Sequence, residues 1–286
     1  MRALAARVQA LEATIEQLTG QVPVSPYASP SARTTFSAGL LLGRGIKLGD
    51  RVIGQAAFDT LVGELVEATR CDEESTRRQL HVAYRALLLA EARSLGRIAG
   101  STVNILGKLV APRLLGPPNG RVLEIGTLYG VFGGALAHEL ARAGLDVDLT
   151  VIDPLEGVQL QTGKGRRTDV SGTPVSEPVV RWNLEASGLD AYRILRGYST
   201  DREVRDHAGD RSYGVIVLDG DHSEAGVAAD LEWVEHLVEP GSVIVLDDYG
   251  DQRWPGVKRA ADAHLARSGR LRSAGVVATS GYVVAT

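Results

Sequence analysis

The sequence of 286 residues contains a single cysteine, Cys71, so no disulfide can form within the chain. A chain without disulfides suits a reducing compartment. No apolar run reaches the roughly 18 residues that a membrane-spanning helix requires. Residues 1–20 alternate charged and apolar side chains and lack the unbroken apolar stretch of a signal peptide. These absences predict a cytoplasmic protein without a membrane span.

Clusters of basic residues are also lacking. The net charge is −4, aromatic residues make up 5% of the chain, and no basic run is interleaved with aromatics, which argues against general nucleic-acid binding. Most of the histidines are scattered without metal-ligand spacing, namely His81, His138, His207, His236 and His264. The hydrophobic content of 44% is enough for a full core. This composition agrees with a soluble enzyme.

The fingerprint of dinucleotide-binding folds is missing as well. The segment from Arg121 to Gly134 predicts a strand, a glycine turn that lets a cofactor approach the backbone, and a helix. The acid Glu124 precedes Gly126, the next glycine is Gly130, and the order Gly-x-Gly-x-x-Gly does not occur there. No Tyr-x-x-x-Lys pair is present either. A nicotinamide-dependent oxidoreductase is therefore disfavoured, and it stays the alternative from another enzyme class.

Two apolar, β-branched runs of the sequence each end in paired acids, which are Asp219 with Asp221 and Asp247 with Asp248. Runs this short and this apolar predict strands that are buried on both faces. Residues 224–238 between them carry apolar side chains at helical spacing, so the unit is strand, helix, strand, with parallel strands. Both acidic ends then lie at one edge of the sheet, where open α/β sheets bind ligands.

The four aspartates at this edge repel one another. Like charges a few ångströms apart repel by roughly 4 kcal/mol per pair at an effective dielectric near 20. The aspartates therefore need a cation, a shared proton or a network of hydrogen bonds, and a divalent ion with oxygen ligands is the simplest answer. A purely structural explanation stays open, in which Asp247 and Asp248 cap a turn and Asp221 caps the helix that starts near Ser223.

Two further predicted strands complete the series. Residues 149–153 form an apolar run that ends in Asp153, at a position where a carboxylate commonly binds ribose hydroxyls. Residues 193–199, which end in Ser199, form the next strand. In chain order, the strand before the glycine turn, these two strands and the two strands that end in aspartates form a consistent set of five. Their carboxyl ends lie along one ligand-binding edge of the sheet.

These motifs resemble the class I S-adenosylmethionine-dependent methyltransferases, and within them the metal-dependent branch that includes macrocin-type sugar O-methyltransferases and cephalosporin-hydroxylase-like proteins. The resemblance covers residues 110–286 and rests on Glu124-Ile-Gly-Thr-Leu-Tyr-Gly130, Val151-Ile-Asp-Pro154, Leu218-Asp-Gly-Asp-His-Ser223 and Pro240-Gly-Ser-Val-Ile-Val-Leu-Asp-Asp-Tyr249. It implies an α/β fold with a Rossmann-like seven-stranded methyltransferase sheet, a terminal antiparallel hairpin and a preceding helical region.

The resemblance also implies roles for individual residues. The residues that contact S-adenosylmethionine are Glu124, Gly126, Thr127, Tyr129, Gly130, Asp153, Ser199 and Asp219. Asp219, Asp247 and Asp248 hold Mg²⁺ or another divalent cation, which orients the acceptor hydroxyl and lowers its pKa. Asp221 is the candidate general base. His222 is the second candidate, although strand geometry points its side chain away from that of Asp221.

The sequence thus predicts a metal-dependent O-methyltransferase that acts on a hydroxyl of a small molecule or a glycosyl group. The alternative among enzymes of the same fold is a metal-independent methyltransferase, in which the aspartates bind the acceptor by hydrogen bonds. The intact set of aspartates argues against a non-catalytic assembly protein.

The chain before residue 110 has a different organisation. Residues 1–20 carry apolar side chains at alternating spacings of four and three, which predicts a helix that either joins chains into a homo-oligomer as a coiled coil or packs on its own domain. Residues 21–109 predict a linker and a helical cap region, before a methyltransferase domain at 110–286. The predicted helices of the cap span 52–68, 72 or 73 to 96, and 101–109.

Two other segments carry expectations. Residues 161–178 are polar and glycine-rich, which is typical of a lid over the site or of a disordered loop. Residues 176–178 then start a helix. The end of the chain predicts two strands, 275–279 and 281–285, joined by a Ser-Gly turn.

Overall fold

The computed structural model describes residues 51–156 and 173–286, so the predicted helix of residues 1–20 and most of the predicted lid lie outside the described residues. The described chain forms one seven-stranded sheet in the spatial order β3-β2-β1-β4-β5-β7-β6. The strands are β1 (Gly120–Ile125), β2 (Val147–Asp153), β3 (Tyr192–Arg196), β4 (Tyr213–Leu218), β5 (Val238–Leu246), β6 (Leu271–Val277) and β7 (Ser280–Ala285).

The strand pairing confirms the predicted methyltransferase sheet. Strands β1 to β5 pair in parallel, and β7 is antiparallel to its neighbours β5 and β6. The predicted Ser-Gly turn of the terminal hairpin is wrong. Val277 pairs with Ser280, so the turn is formed by Ala278 and Thr279, and Ala278 adopts a left-handed φ of 52° that closes it.

Helices cover both faces of the sheet. They are α1 (Gln55–Thr69), α2 (Glu73–Arg93), α3 (Thr102–Leu115), α4 (Val131–Ala141), α5 (Glu177–Ala186), α6 (Arg202–Ala208), α7 (Glu224–Val234) and α8 (Pro255–Leu265). Asp72 caps α2 by accepting the N–H of Ser75, and Ser101 caps α3 by accepting that of Asn104. Within the described ranges, no helix is long and apolar enough to cross a membrane.

Several helix boundaries differ from the prediction, since α1 begins at Gln55 instead of residue 52 and α2 ends at Arg93 instead of residue 96. Helix α3 continues to Leu115, where Gly116 in the left-handed conformation ends it, so the predicted domain boundary at residue 109 falls inside a helix. Helix α7 ends at Val234, because Val238 already pairs with Tyr213 as the first residue of β5. Leu237 and Val238 continue the helical spacing of apolar residues, which is why the prediction extended the helix, but in the structure they lead into the buried strand β5.

The core has two halves, one on each face of the sheet, because successive side chains of a strand point to opposite faces. On one face Val122, Val215 and Val243 pack with α1 to α4. On the other face Leu123 and Ile216 pack with α7 and α8. Burial on both faces explains the continuous apolar runs that predict these strands. Helix α3 lies over the sheet with residues 104–112 all buried.

Candidate functional site

A cavity of about 890 Å³ opens at the carboxyl ends of the parallel strands. Its volume lies in the range of small-molecule sites, and its position is the crevice where open α/β sheets bind ligands. The predicted site residues that line it are Glu124, Gly126, Thr127, Asp153, Ser199, Asp219, Asp221, Asp247 and Asp248. The structure therefore brings most of the predicted site residues together around one space.

The turn after β1 closes tightly onto the end of β4. Gly126 has a φ of 86°, and a side chain on it would meet the carbonyl oxygen of Asp219 at 2.2 Å. The backbone N–H groups of Thr127 and Leu128 donate to Asp153 Oδ2 at 2.9 and 3.0 Å. Only glycine permits this close approach, and the acid at the end of β2 holds the turn in place.

The carboxylate of Asp153 supports the backbone on both of its oxygens. Besides the two bonds to Oδ2, Oδ1 accepts the N–H of Leu155 at 2.8 Å. Asp153 also lines the cavity, and a carboxylate oxygen can accept more than one hydrogen bond. The side chain can therefore fix the glycine turn and bind a ligand at the same time.

Glu124 lies beneath the turn with 2% of its surface exposed. It accepts the hydroxyl of Thr127 at 2.6 Å, and a side chain at Gly133 would come within 2.5 Å of its Oε2. Burial, reinforced by the charge of Asp219, raises the pKa of Glu124 to about 8, although the bond from Thr127 opposes the shift. Glu124 is therefore largely protonated at neutral pH.

Two predicted cofactor residues do not line the cavity. Tyr129 is 1% exposed, its ring packs against Gly96, and its hydroxyl donates to the carbonyl of Thr173 at 3.0 Å. Gly130 precedes the first residue of α4 with a φ of 76° and packs against Val180. The structure thus places Tyr129 in the core and Gly130 at the start of a helix, because the side of the turn that faces the cavity is formed by residues 126–128.

A lysine from α3 lies between the aspartates. Lys108 is 2% exposed, and its Nζ lies 2.9 Å from both Asp219 Oδ2 and Asp247 Oδ1. The same Nζ lies 4.9 Å from the centre of the Phe132 ring. One helical turn earlier, Asn104 Nδ2 donates to Asp247 Oδ1 at 2.9 Å. Helix α3 thus joins the ends of β4 and β5 through an ammonium group and an amide.

Burial and charge set the ionisation of these three groups. Burial alone would lower the pKa of Lys108, but the carboxylates of Asp219 and Asp247 outweigh it and hold that pKa above its usual range. Burial opposes ionisation of Asp219 too, and Lys108 overcomes it, so the pKa of Asp219 falls to about 2. Burial, together with the charge of Asp219, raises the pKa of Asp247. Lys108 is therefore a cation at neutral pH, and Asp219 is an anion.

His222 is a second buried group among the acids. Its Nε2 lies 3.5 Å from Asp219 Oδ1 and its Nδ1 lies 3.3 Å from Asp248 Oδ2. The ring stands edge-on to Trp254 at 5.1 Å. Burial alone would lower the pKa of His222, but Asp219 and Asp248 outweigh it and raise the pKa to about 10. A buried imidazolium already carries its proton and is a poor base, so this protonation argues against His222 as the proton acceptor.

Asp221 is exposed and lines the cavity. Its Oδ1 accepts the backbone N–H of Ser223 at 2.9 Å, and its Oδ2 accepts the Ser223 hydroxyl at 2.8 Å. A side chain at Gly226 would come within 2.5 Å of Oδ2, so glycine is required there. These contacts fix the carboxylate before α7 and leave it accessible to a ligand. The cap of α7 is Ser223, whose hydroxyl accepts the N–H of Gly226, so Asp221 is not the helix cap that the sequence left open.

The cluster is a poor fit for a divalent ion. Asp219, His222 and Asp247 each offer a ligand atom within 4.8 Å of the others, whereas the predicted set had Asp248 in place of the histidine. The ammonium of Lys108 lies against both carboxylates of that set. A doubly charged ion about 4 Å from an ammonium is repelled by roughly 8 kcal/mol at an effective dielectric near 20. The residues present therefore do not fit the predicted ion while Lys108 lies between them.

Lys108 and Asn104 are site residues that sequence reasoning missed. The helices before β1 are predicted to pack over the sheet; in the structure α1 and α3 pack against strands, whereas α2 packs against neighbouring helices. A signal was nevertheless present, because Lys108 is the only charged residue in the stretch 103–112 of the sequence. Lysine is almost never fully buried unless it is paired, so a lysine inside an apolar helix predicts an acidic partner.

Asp230 of α7 is a further acid in the wall of the cavity. It is 3% exposed, and its Oδ1 has no hydrogen-bond partner among the described residues. Burial raises the pKa of Asp230 from its usual 3.8 to about 6, although Ser199 and Arg205 oppose the shift. The folded protein therefore binds this proton more tightly than the unfolded chain does.

Asp230→Asn is expected to change how stability depends on pH. The stabilisation from the Asp230 proton is fully present below about pH 3.8 and is lost as the pH rises through about 6. The variant lacks this loss. The difference between its free energy of unfolding and that of the wild type should therefore rise by about 2 kcal/mol, in favour of the variant, between pH 4.5 and pH 7.5. Urea denaturation at both pH values measures the difference. Asp206→Asn, at an exposed position, is the control, and a difference that does not change with pH contradicts the expectation.

The sequence of the chain is similar to a known protein family. A family model described as a methyltransferase domain matches residues 123–249, a segment that includes the glycine turn, Asp153 and both aspartate pairs. None of the curated sequences matches the chain at a significant level.

Several solved structures are similar to this chain. The O-methyltransferase NovP is 20% identical with a TM-score of 0.51, over 81% of this chain and 98% of that one. The O-methyltransferase TomG from Streptomyces achromogenes is 20% identical with a TM-score of 0.44, over 73% and 89%. An O-methyltransferase from Bacillus cereus is 19% identical with a TM-score of 0.43, over 72% and 90%. The similarity to NovP shows a shared fold.

Proposed function

We propose that this chain, whose residues 123–249 match a methyltransferase domain, is an S-adenosylmethionine-dependent methyltransferase that methylates a hydroxyl oxygen of a small molecule or of a glycosyl group. The cavity at the strand ends is large enough for a cofactor and an acceptor side by side. NovP, which has the same fold, is itself named an O-methyltransferase.

The observation that carries this proposal is the position of Asp221. The sulfonium of S-adenosylmethionine supplies an activated methyl group when the cofactor is bound. A hydroxyl is a weak nucleophile, so its proton must leave as the oxygen attacks. Asp221 is the acid at the end of β4 that is exposed in the cavity, whereas Asp219 is paired with Lys108. Its carboxylate can take that proton while the new oxygen–carbon bond forms and the carbon–sulfur bond breaks.

The cofactor is proposed to lie over the glycine turn. Gly126 and Thr127 of the turn line the cavity, together with Asp153 at the end of β2 and Ser199 after β3. Glu124 supports this surface from below through Thr127. The acceptor then occupies the part of the cavity beside Asp221 and the aspartates of β5, where its hydroxyl can approach the methyl group in line.

Calorimetric titration tests the assignment to this enzyme class. S-adenosylmethionine and S-adenosylhomocysteine should bind with one site per chain, and NAD should not bind. Incubation with methyl-labelled S-adenosylmethionine and paired acceptors that differ only in hydroxyl or amine should label the hydroxyl member. Binding of NAD alone would overturn the methyltransferase assignment, and labelling of amines alone would overturn oxygen as the acceptor.

Asp153→Ala is expected to weaken S-adenosylmethionine binding by about 1 to 3 kcal/mol, the usual range for hydrogen bonds to a charged group. The loss has two physical sources, which are the contact with the ribose and the three backbone N–H groups that Asp153 fixes. Calorimetry on the folded variant measures it. Asp148→Ala is the matched control, because Asp148 lies on the same strand and pairs with Arg211 away from the cavity. Equal affinities of both variants and the wild type contradict the ribose assignment.

A further inference from the structure

We propose that Lys108 is a built-in cation that takes the place of a divalent ion between Asp219 and Asp247, so that this methyltransferase works without a bound metal. The part of the inference that concerns turnover rests on the proposed function. The part that concerns the cation stands on the geometry of the cluster alone.

The first argument is the position of the ammonium group. Its Nζ lies 2.9 Å from a carboxylate oxygen of each of two neighbouring strands, β4 and β5. An ion that bridged the same two oxygens would have to lie in the space that the ammonium fills, because Mg²⁺ binds oxygen ligands at roughly 2.0 to 2.1 Å. The ammonium and the ion therefore exclude each other.

The second argument is that withdrawal of the Lys108 ammonium from the carboxylates is costly. The residue lies in the buried middle of α3, between Ile105 and Ala111, and is itself 2% exposed. Its ammonium also lies on the face of the Phe132 ring, 4.9 Å from the ring centre. Removal of the ammonium from the two carboxylates would leave a buried charge without a partner.

The third argument is that protein donor groups already occupy Asp247 Oδ1, the carboxylate oxygen that faces Lys108. Its Oδ1 accepts the amide of Asn104 at 2.9 Å, lies 2.9 Å from the Lys108 ammonium, and lies 3.1 Å from the hydroxyl of Ser280. The Ser280 hydroxyl also lies 2.8 Å from Asn104 Oδ1, which closes a ring of polar contacts. Donor groups of the protein thus saturate an oxygen that a metal site would need free.

Lys108 acts in this arrangement as a positioning residue. By joining Asp219 to Asp247 it fixes the end of β4, which carries Asp221 two residues later and meets Gly126 of the cofactor turn. Loss of the ammonium should therefore disturb the relative placement of the proposed base and the cofactor turn. It should also leave two neighbouring carboxylates without their cation, which is the arrangement that attracts a divalent ion.

Mn²⁺ binding, followed by electron paramagnetic resonance, tests the inference without an acceptor. The wild-type protein should bind no Mn²⁺ in the cluster, and dialysis against a chelator should leave its S-adenosylmethionine affinity and its turnover unchanged. Lys108→Ala should gain about one bound Mn²⁺ per chain, because the vacated space now lies between unpaired carboxylates. Lys258→Ala, which removes an exposed lysine, should gain none. Asp247→Asn added to Lys108→Ala should abolish the gained ion.

Three outcomes overturn the inference. One is stoichiometric Mn²⁺ binding by the wild type that Asp247→Asn removes. Another is a loss of turnover in chelator that Mg²⁺ restores. The third is a folded Lys108→Ala variant that binds no ion. If Lys108→Ala does not fold, the wild-type measurements alone decide the matter. A wild type that binds neither Mn²⁺ nor S-adenosylmethionine contradicts the proposed function and supports the cation assignment, so the two failures are distinguishable.

Discussion

Asp221→Asn is expected to lower kcat by roughly 10²- to 10⁴-fold, the contribution that general-base catalysis makes to a rate. The amide keeps the size of the carboxylate and can still accept the N–H of Ser223, so α7 should start as before. Affinity for S-adenosylmethionine should stay close to that of the wild type, because only the proton acceptor is lost. Single-turnover kinetics on the folded variant, with calorimetry for the cofactor, separate these effects.

Two controls make the Asp221 prediction specific. Glu224→Gln neutralises a neighbouring exposed acid that pairs with Arg259, and it should leave kcat unchanged. His222→Asn removes a ring that is buried between Asp219 and Asp248, so it should mainly lower stability. If Asp221→Asn keeps near-normal turnover while a folded His222→Asn variant is inactive, the base has been assigned to the wrong residue.

The sheet and its ligand-binding edge could be predicted because they depend on local sequence patterns. Strands buried on both faces need uninterrupted apolar residues, as in β4 and β5, and parallel pairing brings their ends to one edge. The acids after those strands therefore had to lie near one another. The same reasoning predicts that Asp221 and His222 point to opposite sides, and the structure has Asp221 exposed and His222 buried.

The partners of these acids could not be predicted in this way. Lys108 precedes Asp219 by 111 positions, and no local pattern links an apolar helix to the end of a particular strand. Electrostatics indicated that the acids need a cation, a shared proton or a network of hydrogen bonds, but charge alone does not distinguish an ammonium group from a metal ion. The burial of Tyr129 could not be predicted for a related reason, because the spacing of a glycine motif does not show which turn residues face the cavity.

Opposite charges alternate through the cluster. Lys108 lies between Asp219 and Asp247, and His222 lies between Asp219 and Asp248. Asp219, Asp247 and Asp248 therefore each have a basic side chain of the protein beside them. Such an arrangement separates two tasks. The buried pairs hold the strand ends together, while the exposed Asp221 is the proposed proton acceptor.

Glu91→Gln is expected to destabilise the protein by about 3 to 5 kcal/mol, the usual cost of removing one partner from a buried ion pair. Arg51 donates to both oxygens of Glu91, from Nε at 2.8 Å and from Nη2 at 2.7 Å, and both residues are buried. The same guanidinium donates to the carbonyls of Ile98 and Gly100, which line the cavity. The variant leaves the guanidinium buried without a counter-charge.

Urea denaturation at neutral pH measures this loss, and Glu74→Gln is the matched control. Glu74 pairs with Arg78 on the exposed side of α2, so its loss should cost less than about 1 kcal/mol. Because Glu91 Oε1 also accepts the N–H of Ile98 at 3.0 Å, the segment that lines the cavity should loosen along with the ion pair. Weaker S-adenosylmethionine binding by Glu91→Gln, and not by Glu74→Gln, would show that the pair shapes the cavity. Equal stabilities of the two variants would mean that the buried pair contributes no more than the exposed one.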